Sequence, residues 1–281
     1  MERGLFDLLC VAGELGYRLP DDDINLRHGS GAKDPRRRLA RELPRRLGAS
    51  STPAGWLRAA DRLTRRLVAE LSVRGDGESR PLRVLLSYAS SGLAPDCVVP
   101  RDPLLRAAWK TSVDVFARLY PTAIHALGRL PFVDDVMLAR LRREAAPGLR
   151  IGRTASGRRP GPVGRALAVD RSLMRLLGRA MGRRIAPGYL AKLLYYLRPG
   201  DHVWPHADDP KYTANCLVCI DREVPAGQAR GSALLTYRPD GTVERHEMVP
   251  GEAIVMDSAL VHAREPVRKG ERILLLSILC R

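Results

Sequence analysis

A chain of 281 residues with 45% hydrophobic content can bury one large core or two modest ones, yet it holds no run of about 18 apolar residues, which argues against a membrane-spanning helix. Its start, MERGLFDLLCVAGELGY, carries charges and glycines where a secretory leader needs an unbroken apolar stretch. Its five scattered cysteines (Cys10, Cys97, Cys216, Cys219 and Cys280) make no disulfide framework, so a cytoplasmic, reducing location is expected. The formal net charge of +16 is unevenly spread: after residue 190 the 12 Lys and Arg are matched by 12 Asp and Glu, so the excess lies in residues 1–190.

In chain order, residues 1–17, 33–47 and 55–74 read as helices. In the third, Thr52 and Pro53 make a cap and first-turn pair, Leu57, Leu63, Leu67 and Leu71 form one stripe, and Arg58, Arg62, Arg65 and Arg66 form a solvated face. SVRGDGESRP at 72–81 reads as a turn-rich boundary and LRVLLSY after it as a strand. Helical patterns follow at about 102–129 and 133–146, then a basic, glycine-rich loop at 148–165 and a helix at about 164–184. This divides the chain into a basic helical region, 1–79, and a second domain, 80–281.

From residue 189 the period changes. YLAKLLYYL, HVWPHA, TANCLVCI, SALLTY, TVERHEMV, EAIVMD, LVHAREPV and RILLLSILC are short apolar runs separated by Pro, Gly and Asp. That pattern predicts antiparallel strands in a sandwich or barrel, hence an α+β chain with a jelly-roll core over 189–281.

Within that core, His206 and Asp208 stand two residues apart. In a strand such residues face the same way, about 6.6 Å apart along the backbone, so both can aim at one point. A third ligand must come from a distant strand, and His262 in DSALVHAREPV sits on an apolar run. Two imidazoles and one carboxylate, with positions left open, is a set that suits non-haem Fe(II) oxygenases. Were the two-electron donor a dicarboxylic keto acid, its far carboxylate would need a permanent cation. Arg272, at the start of ERILLLSILCR and ten residues after His262, is the candidate.

YYLRPGDHVWPHAD, PGEAIVMDSALVH and KGERILLLS together resemble the core of the Fe(II)/2-oxoglutarate-dependent dioxygenases, particularly the prolyl-hydroxylase-like branch. The resemblance covers roughly residues 189–281. It rests on the HxD pair, a Pro-Gly turn before it, a tyrosine ten residues before its histidine, a distal histidine and an arginine ten residues beyond that. It implies a double-stranded β-helix, Fe(II) held by His206, Asp208 and His262, and 2-oxoglutarate held by Arg272 with help from the Tyr196 phenol. Leu274 departs from the pattern, because the family commonly has a hydrogen-bonding residue two positions after the arginine. Asp208 is retained where family halogenases have a small residue, so hydroxylation or a related oxidation without halide is the expected outcome.

The substrate expected is a small, amino-acid-derived metabolite, with an acidic carrier protein as a partner for the basic region and a peptide as a further substrate class. The competing class is a basic jelly-roll adaptor that binds nucleic acid or another polyanion without catalysis. Low aromatic content, 5%, leaves few side chains for base stacking and disfavours it. Cys216 and Cys219 at i, i+3 face opposite ways in a strand and have no second pair, so zinc is not expected there.

Overall fold

The computed structural model describes residues 1–17, 25–26, 52–150, 157–188, 190–209, 211–226 and 230–281. The helix expected at 33–47 lies outside them, as do residues 151–156 of the glycine-rich loop. Seven helices are described: α1 (Glu2–Tyr17), α2 (Pro53–Val73), α3 (Asp76–Leu93), α4 (Pro103–Leu119), α5 (Asp135–Arg150), α6 (Pro162–Ala168) and α7 (Arg171–Met181). The strands are β1 (Asn25–Leu26), β2 (Ile124–Arg129), β3 (Leu190–Tyr196), β4 (His202–His206), β5 (Ala214–Glu223), β6 (Leu234–Tyr237), β7 (Val243–His246), β8 (Glu252–Asp257), β9 (His262–Arg264) and β10 (Arg272–Cys280).

The strands form two five-stranded antiparallel sheets, ordered β1-β4-β9-β6-β7 and β2-β8-β5-β10-β3. Alternation decides where each side chain goes. On β10, Ile273 and Leu275 point between the sheets, whereas Leu274, Leu276 and Ile278 point outward onto α5, α6 and α7. On β9, Ala263 points outward to join α1–α4, leaving His262 and Arg264 on the other face. Helices thus cover the outside of both sheets. Strands buried on both faces read as continuous apolar runs, which is why RILLLSILC does not alternate. The antiparallel pairing and the shared apolar interior fit a double-stranded β-helix.

Four sequence expectations differ from the structure. Of the turn expected at 72–81 only Arg74 and Gly75 break the chain between α2 and α3, and residues 76–81 with the expected strand LRVLLSY form the single helix α3. Leu82, Leu86, Ala89 and Leu93 recur at helical spacing, and the helix gains a partner in α1 that local propensity does not reveal. The boundary expected at 79/80 falls inside this helix. Residues 124–129, expected to extend the preceding helix, form β2 on the edge of the second sheet. Pro121 disfavours a helical conformation at Tyr120, so α4 ends there and the chain leaves extended. The helix at 164–184 is two, because Asp170 accepts from the Ser172 and Leu173 amides and restarts the chain as α7, which Gly182 then closes with φ of 64°.

α1 and α3 touch backbone to backbone through glycine. A Cβ at Gly92 would stand 2.1 Å from the Ala12 carbonyl oxygen, and one at Gly16 2.1 Å from that of Tyr88. Glycine to alanine inside a helix normally stabilises by up to about 1 kcal/mol. Gly92→Ala should reverse that sign and destabilise by about 2 kcal/mol, read as a lower urea midpoint, because neither backbone can yield. An unchanged midpoint would show that the helices separate freely.

Candidate metal centre

His206 ends β4 and His262 opens β9, and the two are cross-strand partners with ring centroids 4.4 Å apart. Asp208 follows just past the end of β4. His206 Nδ1 lies 2.8 Å from the Trp204 carbonyl and His262 Nδ1 2.9 Å from that of Leu260. A carbonyl only accepts, so each Nδ1 carries the hydrogen and each Nε2 presents a lone pair. Those Nε2 atoms stand 3.7 and 4.0 Å from the Asp208 carboxylate oxygens. One donor atom from each residue lies within 4.8 Å of the others, and no further group of this kind occurs among the described residues.

Asp208 is held in turn. Asn215 on β5 donates to its Oδ2 at 3.0 Å, and the Ser277 hydroxyl on β10 donates to Asn215 Oδ1 at 3.0 Å. Ser277 therefore acts on the site at one remove, on the face opposite to Arg272. Sequence spacing alone did not single out Asn215. Removing such an outer hydrogen bond typically costs 10–100-fold in metal affinity. Asn215→Ala should weaken Fe(II) binding by about that factor in a competition titration, and an unchanged affinity would show that the amide plays no part.

Burial pushes the Asp208 carboxyl up, but the His262 and His206 imidazoles and the Asn215 amide outweigh it and hold the group below the ordinary carboxylate range. Burial, reinforced by His206, lowers His262 to about 4. It is thus neutral at pH 7 and ready to ligate. The unfolded imidazole takes its proton near 6.5, so the unfolded state binds more protons between there and 4. The metal-free protein should keep full stability above pH 6.5 and lose about 3 kcal/mol as pH falls to 4, measured by urea unfolding at stepped pH. A flat profile would contradict the burial of His262.

Arg272 is not where the sequence placed it. Its side chain is 52% exposed and pairs with Glu223, its cross-strand partner. Even-numbered residues of β10 face away from the inter-sheet space, and this one lies at the strand end. The cation inside is Arg264, two residues past His262 on β9 and therefore on the same face, about 7 Å further along. It is 3% exposed, its Nη2 donates to the Ser232 carbonyl at 3.1 Å, and its Nε and Nη1 have no hydrogen-bond partner. Tyr196 is buried between the sheets with its ring 5.6 Å from the Arg264 guanidinium, while its neighbour Tyr195 faces the opposite way and donates to the Ala145 carbonyl. The buried Ser232 hydroxyl is also without a partner. The signal for Arg264 was in VHAR, where His262 and the arginine share parity.

All five cysteines are free, and Cys216 and Cys219 point into different apolar clusters. No family model matches the chain, and no curated protein matches it. Solved structures do. AviO1 from Streptomyces viridochromogenes is 18% identical over 59% of this chain and 92% of its own, at a TM-score of 0.45. A Pseudomonas putida prolyl-4-hydroxylase is 16% identical over 60% and 96%, at 0.44. SnoK, a non-haem alpha-ketoglutarate-dependent carbocyclase from nogalamycin biosynthesis, is 10% identical over 60% and 81%, at 0.45. No helix among the described residues is long and apolar enough to cross a membrane.

Proposed function

We propose that the chain is an Fe(II)/2-oxoglutarate-dependent oxygenase on a jelly-roll core, hydroxylating an unactivated C–H bond of a small metabolite that is amino-acid-derived, free or carrier-tethered. One observation carries this reading: the two-histidine, one-carboxylate cluster shares a strand face with a buried guanidinium that has two unused donors. A buried charge left without a partner costs several kcal/mol, so Arg264 calls for an anion. A keto diacid fits the spacing, with its keto-acid end at the metal and its far carboxylate on Arg264.

His206, Asp208 and His262 would hold the ion, and their small number leaves positions for cosubstrate and oxygen. Bound there, Fe(II) with 2-oxoglutarate and oxygen supplies the oxidation of the C–H bond, with succinate and carbon dioxide as co-products. The protein's own contribution is positional. The Trp204 and Leu260 carbonyls fix the imidazole tautomers, Asn215 and Ser277 fix the carboxylate, and Arg264 under Tyr196 fixes the diacid. The apolar residues between the sheets exclude water.

An acidic carrier protein as partner draws support from α7, where Arg171, Arg175 and Arg179 recur at four-residue spacing with no carboxylate partner among the described residues. Arg183, one turn on, borders the pocket at the metal centre. The function is tested by equilibrium binding of 2-oxoglutarate with and without Fe(II), followed by succinate release in air. Metal-dependent binding and succinate are expected. Metal-independent retention of nucleic acid with no bound 2-oxoglutarate would favour the basic adaptor instead.

A further inference from the structure

A cavity of about 270 Å³ opens onto Asp208. Its walls are Phe116 at the end of α4, Tyr120 and Pro121 just beyond it, Tyr212 before β5 and Ala259 in the β8–β9 turn. Three aromatic rings thus surround one small space beside the metal ligands. Such walls favour ring-bearing ligands, which gain from stacked and edge-on contacts as well as from leaving water.

The charges bordering this cavity are already committed. Arg183 pairs with Asp257 and also donates to the Thr213 carbonyl at 2.9 Å. Asp257 is buried and accepts a second hydrogen bond from the Ala123 amide at 2.6 Å. Asp208 belongs to the metal cluster. A free amino acid brings one ammonium and one carboxylate, and desolvating either without a partner is costly. The buried Nε of Arg183 has no hydrogen-bond partner, but its charge is balanced by Asp257, so the cavity offers neither an uncompensated cation nor an uncompensated anion to meet them.

From this we infer that the cavity takes an uncharged aromatic ring, of one or two fused cycles, as the part of the substrate presented to the metal. An amino-acid-derived substrate meets that requirement when its carboxyl and amino groups are masked, as in a tethered ester, amide or thioester. The inference rests on the proposed metal site, since that is what gives the cavity its reactive floor. It goes further in naming what fits there.

The test is an anaerobic titration of the Fe(II)- and 2-oxoglutarate-loaded protein with 2-naphthol, read by quenching of the naphthol fluorescence, with L-phenylalanine as competitor. Saturable 2-naphthol binding is expected, undiminished by equal L-phenylalanine. Ala259→Phe, which fills the cavity from a half-buried turn, should weaken it by tenfold or more while leaving the visible Fe(II)–2-oxoglutarate band intact. Phe116→Leu, which keeps the apolar volume but removes a ring, should weaken it by a few-fold. Non-saturable binding, equal competition by L-phenylalanine, or indifference to Ala259→Phe in a protein that keeps the band would overturn the inference. If wild-type protein shows no band, the metal reading fails, and the same fluorescence titration of the metal-free protein still decides the cavity's preference.

Discussion

Arg264→Met should weaken 2-oxoglutarate binding by at least about 30-fold while Fe(II) affinity stays within a few-fold of wild type. Truncating one partner of a buried, hydrogen-bonded charge pair costs about 2–5 kcal/mol, and about 1.4 kcal/mol is tenfold in affinity. Two idle nitrogens, Nε and Nη1, on a 3% exposed guanidinium are what make so large a loss expected. Methionine keeps much of the side-chain volume, so the interior around Tyr196 is preserved. Arg272→Ala is the control. Its side chain is 52% exposed and satisfied by Glu223, so 2-oxoglutarate affinity should not change. Equal losses in the two variants, or a loss in Arg272→Ala alone, would return the cosubstrate to the position expected from the sequence.

His262→Ala should abolish Fe(II) binding, a loss of more than about 100-fold, beyond the range that outer-shell changes produce. The same substitution should not destabilise the metal-free protein strongly at neutral pH. His262 is a buried imidazole whose centroid is 4.4 Å from another and whose Nε2 faces only a carboxylate. Isothermal titration and a thermal melt on the same sample separate the two effects. Loss of both metal and fold would point to a structural role, whereas retained metal would remove His262 from the ligand set.

The strands after residue 189 were legible because the double coverage of the sheets writes itself as short apolar runs cut by Pro, Gly and Asp, whereas β2 was not. The cluster of His206, Asp208 and His262 was legible because same-face parity at 206 and 208 is a local property, and His262 was the histidine on an apolar run after PGEAIVMD. What escaped the sequence was long-range. α3 is helical because Gly92 and Gly16 let α1 approach, a contact invisible in LRVLLSY. Arg272 and Arg264 are each one arginine beside an apolar run; the parity of Arg264 with His262 puts it on the site's face, and the placement of β9 and β10 shows that it is the desolvated one. Asn215 lies seven residues past Asp208 on another strand, and its amide reaches the carboxylate only through the fold.

The most direct measurement is the visible spectrum of the anaerobic protein after Fe(II) and then 2-oxoglutarate are added. A weak charge-transfer band should appear in wild type and in Arg272→Ala, and be absent in His262→Ala. If well-folded wild-type protein that has bound iron takes up no 2-oxoglutarate and shows no such band, then the cluster at His206, Asp208 and His262 is not an oxygenase centre.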